Sequence, residues 1–596
     1  MSSARGLSGA GFDMEILVVN LMRLGDLIQA SAVLRGLRKA YPTARITLLA
    51  LDVFEEPARL LPGVDRLFLF PSLTLAAALE QSGKWPEAFQ LLCRWFEENL
   101  SRRPDMVVNL TPTILGGILA CAARGRELRG FAVDKARGGF TSSPWAGYGL
   151  VVSKARQANP FNLADIFVRE AGLKPDGRGL EVNISPAAQA EADGAIQALG
   201  LTPGRALVGL LPGASQPQRR WPAANFAHTA RLLRKARPCH FFIFGSSGEA
   251  PLGEAIRSLL PPGEVTQYQG RTPLAVLGAY LKRLDLLLTN DTGPMHLAAA
   301  VGTPVLALFL ASARALDTGP AGNGHIVIEP ELDCHPCLSP CAHPRCQAVV
   351  TPEAVAACGL HLLEKRSADR LAGMFNCDYL NIYFSRIDPL GYQTYLPMVH
   401  RKLSGRNFWL WVHRLAWGRL LDYEAGSSAG VRDWVRNIIS RHYLPPRGDL
   451  WGRAGRDALP EIMSLAAQGA AAARQISKSA ESSPAVLSGL QQKMEIFAGI
   501  DLNLRRLAVE FPEIASLVEF FFQEQRRHME TQVVPLARRL VRAYKGLHRM
   551  AAIFRQALEE LAWEQRPGVA QEVQMAIKVP KTFPQDSGWP HAGDYQ

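Results

Sequence analysis

Thr289-Asn290-Asp291-Thr292-Gly293-Pro294-Met295-His296-Leu297-Ala298-Ala299-Ala300 follows the apolar run Leu286-Leu287-Leu288 and precedes Val301-Gly302-Thr303-Pro304-Val305-Leu306-Ala307-Leu308-Phe309. That order predicts a buried strand, a tight polar turn, a short helix of small residues and a second buried strand. A helix opening after an Asp-Thr-Gly turn points free backbone N–H groups and its positive dipole end outward, which suits a phosphate.

The same grammar extends upstream. Ala206-Leu207-Val208-Gly209-Leu210-Leu211 reads as a strand running into Pro212-Gly213-Ala214-Ser215. A helix from about Ala223 to Ala236, the strand His240-Phe241-Phe242-Ile243-Phe244 and the turn Gly245-Ser246-Ser247-Gly248-Glu249 complete the unit. Nearer the N-terminus, Glu15-Ile16-Leu17-Val18-Val19-Asn20 is a strand followed by the turn Leu21-Met22-Arg23-Leu24-Gly25-Asp26. Leu27, Ala30, Val33, Leu34 and Leu37 then recur at helical spacing on one face. Arg45-Ile46-Thr47-Leu48-Leu49-Ala50 and Asp105-Met106-Val107-Val108-Asn109-Leu110 return as strands. Strands alternating with helices imply βαβ units and mostly parallel sheets, hence an α/β protein with two such halves. Sites in these sheets lie beyond the carboxyl ends of the strands, so the quoted turns should share one cleft.

With 596 residues the chain exceeds one ordinary core. The expected division is a flexible leader (1–13), a first Rossmann-like unit (14–185) and a second (186–367), joined through the polar piece Ser185 to Gly204. A mainly helical extension (368–565) and a partly disordered tail (566–596) follow. Within the extension, Cys377 to Tyr423 is dense in aromatics and arginines, and Ser427 to Ser483 reads as loop-rich with small residues. Leu487 to Trp563 reads as amphipathic helices broken or kinked near Pro512 and Pro535. A composition 48% hydrophobic and 20% charged is that of a soluble globular chain. No apolar run reaches the roughly 20 residues of a spanning helix. The net charge of +12 suits anionic partners such as nucleotide phosphates or anionic lipid. Nucleic acid is disfavoured, since no binding motif accompanies the charge. Nine cysteines, five of them scattered singly, point to a reducing cytoplasm rather than a secreted disulfide framework.

Asp26, at a helix start beyond a strand, is a candidate general base for an acceptor hydroxyl or a helix cap, and the roles are compatible. Ser215 opens a basic loop in which Arg219 and Arg220 are placed to neutralise a diphosphate or to sit solvated; Trp221-Pro222 favours an anchored loop. Glu249 follows a strand-end turn where acidic residues grip ribose hydroxyls, against the default of a surface glutamate. His296 reads as packing or capping rather than catalysis. Cys334, Cys337, Cys341 and Cys346, interleaved with His335 and His343, fit a structural zinc or iron–sulfur centre, a disulfide-stabilised loop or reduced thiols. Phe408, Trp411, Val412 and Leu415 make one face of a helix over 406–421 that lies on a membrane surface or, more in keeping with its pattern, packs internally.

Together, Arg23-Leu24-Gly25-Asp26, the Pro212-Gly213-Ala214-Ser215 to Arg219-Arg220-Trp221-Pro222 loop, Gly270-Arg271-Thr272-Pro273-Leu274, Asp165 in Asn162-Leu163-Ala164-Asp165, and Asn290 to Ala300 running into Gly302-Thr303-Pro304 resemble glycosyltransferase family 9, the heptosyltransferases of the lipopolysaccharide inner core. The resemblance covers about residues 14 to 365. It implies a GT-B fold, two Rossmann-like domains facing across a cleft, and an inverting displacement with no covalent intermediate and no obligatory metal. It implies Asp26 as base, Arg219 near the donor phosphates where the family usually has lysine, and Glu249 at the ribose. Asp291, Thr292, Gly293, Pro294, Met295 and His296 would form the diphosphate-binding loop and helix start. The implied partners are an ADP-heptose-like nucleotide sugar, a lipid-linked or surface glycan acceptor, and the inner-membrane surface as a peripheral contact. Two departures stand out: Leu310-Ala311-Ser312 follows Phe309 where the family usually shows glycine, and the extension has no counterpart. Alternatives are transfer to a protein acceptor with the extension as docking module, or a degenerate, non-catalytic GT-B scaffold.

Overall fold

Runs of valine, leucine and isoleucine build two open sheets in the computed structural model of the chain. It describes residues 13–562 except 82, 135–137, 153–154, 338–340, 342–343, 365–378, 400, 423–427, 445–452, 483–489 and 527–531. The expected leader, apart from Asp13, and the expected tail lie outside the described residues.

The first sheet has the order β3-β2-β1-β4-β5-β6. Its strands are β1 (Met14–Val19), β2 (Ala44–Leu51), β3 (Arg66–Phe70), β4 (Met106–Asn109), β5 (Glu127–Asp134) and β6 (Gly138–Thr141). All pairings are parallel except β5 with β6. Alternate side chains serve opposite faces. Ile16, Val18, Ile46 and Leu48 pack under Leu27, Val33, Leu34, Leu37 and Phe167, while Leu17, Val19, Leu49 and Val107 pack under Trp95, Leu119 and Ala120.

The second sheet adds β7 (Ala206–Leu211), β8 (Cys239–Ile243), β9 (Val265–Gln267), β10 (Leu286–Asn290), β11 (Val305–Leu308) and β12 (Ile326–Pro330). Its parallel part runs β12-β11-β10-β7-β8-β9, so strand order reverses between β7 and β10 just as it does between β1 and β4. Doubly wound sheets bind ligands at these reversals. Sequence-predicted strands and the helix Ala223–Ala236 are where the periodicity puts them. These paired Rossmann-like sheets make a GT-B architecture.

Two antiparallel strands, β13 (Leu380–Ile387) and β14 (Gln393–Pro397), extend the second sheet past β12. They come from residues beyond 368, so the extension begins by completing the second lobe. Its helices then cover the first lobe. The helix Ala515–Arg526 packs on Pro144–Val152, and one continuous core joins Trp145, Tyr148 and Phe161 to Trp411, Trp417 and Phe554. The stretch from Ser427 to Ser483 is a correction to the loop-rich expectation: it forms helices Ser428–His442 and Arg453–Ser482. Alanine is the strongest helix former, and small residues at Gly469 and Ala473 let the helix Val533–Leu561 pack closely, Gly469 lying against the Tyr544 ring. Pro535 stands in the first turn of that last helix, where its missing N–H costs nothing. The helix Gly405–Leu421 is internal, with Trp409, Trp411, Trp417 and Arg414 all buried.

Arg414 is buried because it is paired. It donates to Asp388 and stacks 3.9 Å from the Tyr392 ring centre, and Arg169 of the first lobe stacks on the same ring at 3.5 Å. Asp422 accepts from Arg169 Nε at 3.1 Å and from the Tyr392 hydroxyl at 2.7 Å. Asp165 belongs to this cluster, accepting from Gln393 N at 2.9 Å; burial pushes its carboxyl up to about 7. The cluster fastens the first lobe's helix Leu163–Glu170 to the hairpin that completes the second.

Candidate active site

Two helix N-termini meet across the lobes. The helix Leu24–Gln29 starts at the β1 carboxyl end, and the helix Gly293–Ala300 starts three residues after β10. A Cβ on Gly25 would stand 2.8 Å from His296 Cδ2, and one on Gly293 would stand 2.4 Å from Leu24 Cδ2. Only glycine at both places admits this approach. Lobe contacts flank it: Leu274 N donates to Glu56 at 3.1 Å, and Arg156 Nε donates to Asp317 at 2.9 Å.

Asp26 is the third residue of its helix rather than the cap itself. Its Oδ2 accepts weakly from Arg23 N at 3.3 Å, closing the first turn. Burial raises its carboxyl to about 6, the Arg23 bond and charge oppose this, and the Asp291 charge adds to it. A carboxylate so destabilised is a better proton acceptor near neutrality than an exposed one.

Asp291 is treated differently. Arg219 Nη1 donates to it at 3.0 Å. Burial raises its carboxyl as well, opposed first by the Arg219 charge. The guanidinium is held from behind by Ser312 Oγ, which accepts from Nε at 3.0 Å and Nη2 at 2.8 Å. Asn290 knits the floor: its Oδ1 accepts from Trp221 N at 3.1 Å, and its amide donates to Pro212 O at 2.8 Å. Arg220 Nε donates to Ala214 O at 2.9 Å and braces the loop. Ser215 is exposed at the loop's edge.

Glu249 Oε2 accepts from Ser246 N at 2.8 Å and Ser246 Oγ at 3.0 Å. Its carboxylate lies over the Gly213 backbone, where a Cβ would come within 1.9 Å of Oε1. His296 is 3% exposed, and burial lowers its imidazole to about 4, so it is neutral near pH 7 and packs against Gly25. Thr292, Gly293 and Pro294 are partly exposed at the helix mouth, and Met295 is fully buried beneath them.

Sequence reasoning missed Ser312, Arg156, Arg314 and Asp317. Asn159 Nδ2 and Arg314 Nη1 donate to Asp317 Oδ1 at 2.9 and 3.2 Å, and Arg156 Nη2 reaches Ser312 O at 3.0 Å. The one local signal was the departure at Leu310-Ala311-Ser312. There Ala311 has φ of 54°, the left-handed region that favours glycine, and its carbonyl accepts from Cys337 N at 2.9 Å. The cysteine loop therefore supports the segment that holds Arg219. Cys334 is exposed, Cys337 and Cys341 are half-buried and Cys346 is buried, all as free thiols. Among the described residues no three of His, Cys, Asp and Glu converge as a metal-ligand set, and His343 lies outside them.

Residues 160–345 match the family model Glycosyltransferase family 9 (heptosyltransferase). The chain is similar to lipooligosaccharide heptosyltransferase 2 of Haemophilus influenzae, 25% identical over 310 residues, covering 50% of this chain and 83% of the relative. It is 31% identical over 167 residues to lipooligosaccharide heptosyltransferase 2 of Campylobacter jejuni, covering 27% of this chain and 52% of that one. The glycosyl transferase family 9 structure from Veillonella parvula aligns at 23% identity with a TM-score of 0.46, covering 59% of this chain and 98% of that one. The chain is a glycosyltransferase. Over residues 160–345 it is similar to glycosyltransferase family 9, and its curated relatives are heptosyltransferases.

Proposed function

We propose that the chain transfers a heptose, or a similar sugar, from an ADP-activated donor to a lipopolysaccharide-core or other surface glycan acceptor, with inversion. One observation carries this reading: the Asp26 helix start and the mouth of the Gly293–Ala300 helix meet across the lobes, with Gly25 against His296 and Gly293 against Leu24. The acceptor hydroxyl oxygen attacks the anomeric carbon while its proton passes to Asp26, whose raised affinity for a proton fits the task. The bond to the diphosphate breaks in the same step. The leaving charge goes to Arg219 and to the positive end of the Gly293–Ala300 helix, both fixed before the reaction starts. Glu249 is assigned to the ribose, and Ser215, Arg220 and Pro294 to the frame of the donor pocket. The adenine base, the cytoplasmic location and the lipid-linked acceptor follow from the heptosyltransferase likeness. Catalysis in this scheme uses no metal.

Asp26→Asn keeps shape and removes the proton acceptor. Turnover should fall roughly 100- to 10,000-fold, while ADP affinity by calorimetry stays within about twofold. Near-parental turnover in this variant would remove Asp26 from the base role.

A further inference from the structure

Ser312 has a hydroxyl committed on every side. Its Oγ accepts from Arg219 Nε at 3.0 Å and Nη2 at 2.8 Å, and it donates to Gln216 Oε1 at a long 3.4 Å. A hydroxyl has one donor and two acceptor positions, so all are occupied and both acceptor positions face the guanidinium. The backbone holds the serine as firmly. The left-handed Ala311 precedes it, the Ala311 carbonyl accepts from Cys337 N at 2.9 Å, and the Ser312 carbonyl accepts from Arg156 Nη2 at 3.0 Å. Ser312 is thus tied to the cysteine loop on one side and to the first lobe on the other.

An arginine needs such a frame and a lysine does not. An ammonium is a point charge that serves an anion from many rotamers, whereas a guanidinium serves a phosphate best when its plane is aimed. Of the five N–H groups of Arg219, Ser312 takes one on Nε and one on Nη2, and Asp291 takes one on Nη1 at 3.0 Å. One N–H therefore remains on each terminal nitrogen among the described residues. Asp291 directly precedes Thr292, the cap of the Gly293–Ala300 helix, so this remaining pair lies beside the helix's positive end. Without the hydroxyl, the guanidinium would be free to turn onto Asp291 as a two-bond pair, the arrangement arginine and carboxylate favour. The aspartate would then satisfy the cation and withdraw it from a ligand. We propose that Ser312 is a positioning residue for the donor diphosphate: its hydroxyl keeps Arg219 bonded to Asp291 through Nη1 alone and leaves an N–H on each terminal nitrogen for phosphate oxygens. The inference rests on the proposed function for its ligand, a nucleoside diphosphate, and adds the group that aims the cation.

The test is a double-mutant cycle on the full chain, with ADP and inorganic pyrophosphate each titrated by calorimetry. Ser312→Ala should weaken both ligands roughly 3- to 10-fold. In an Arg219→Lys background the same substitution should change affinity by less than about twofold, because an ammonium has no plane to orient. Ser312→Thr keeps the hydroxyl and should stay within about twofold of the parent. If Ser312 served only its loop, the alanine would lower affinity alike in both backgrounds, and that result would overturn the proposal. So would undiminished affinity in Ser312→Ala, or a threonine variant as weak as the alanine one. Parental binding of ADP with no coupling between positions 219 and 312 would sink the positioning role alone. Pyrophosphate bound without ADP would sink the nucleotide donor, and the cycle read on pyrophosphate would still decide the role of Ser312. A parent chain that binds neither ligand would overturn both readings.

Discussion

Asp26 and Asp291 both lie near a reversal of strand order, Asp26 in the first turn of the helix after β1 and Asp291 directly after β10, and the fold treats them in opposite ways. Asp26 is half-buried with one long backbone bond, so its charge is costly and its proton affinity rises. Asp291 is half-buried against Arg219, and its charge is used to aim a cation. Local partners thus decide how costly each carboxylate's charge is. Asp388 marks a third treatment, sealed against Arg414 away from any crevice and used only to hold the lobes and extension together.

The largest effect should come from breaking that third, structural case. Asp388→Ala leaves the Arg414 guanidinium buried without its carboxylate and should cost about 3–5 kcal/mol of stability. Chemical denaturation would read this as a lower midpoint, and an unchanged midpoint would mean that the cluster relaxes or hydrates. Arg219→Ala removes a charged hydrogen-bond donor from the proposed leaving-group site. It should weaken ADP binding by roughly 10- to 100-fold, a loss that calorimetry detects directly. Unchanged affinity would take Arg219 out of the donor pocket.

The smallest effect is the most discriminating. Asp291→Asn removes a negative charge that raises Asp26, which favours the ionised Asp26. The acid limb of turnover against pH should move down by less than about one unit. A limb that stays put or moves up would show that the two aspartates are not electrically coupled.

How much of this was legible in the sequence differs by region. Buried parallel strands such as Leu286–Asn290 are continuous apolar runs, and the turns after them carry glycine and aspartate, so the cleft could be assembled from local pattern alone. Ser312 could not, because it meets Arg219 across 93 residues and owes its place to a left-handed Ala311 held by the cysteine loop. The helix Arg453–Ser482 was hidden by its own composition: alanine and serine suggest a loop until a partner helix needs small residues. β13 and β14 carried an unread signal, since Ile382, Tyr383 and Phe384 flank a turn at Asp388 to Gly391. The Arg169–Tyr392–Arg414 stack joins three distant segments, and no local pattern announces it.

The central claim, that Asp26 receives the acceptor's proton, is tested most directly by the pH dependence of turnover with saturating donor. Because the base acts only when deprotonated, the rate should rise with pH through about 6 and then level off, with one proton involved. The residual activity of Asp26→Asn should lack that limb. A flat profile through this range in the parent chain, or the same limb persisting in the variant, would contradict the account.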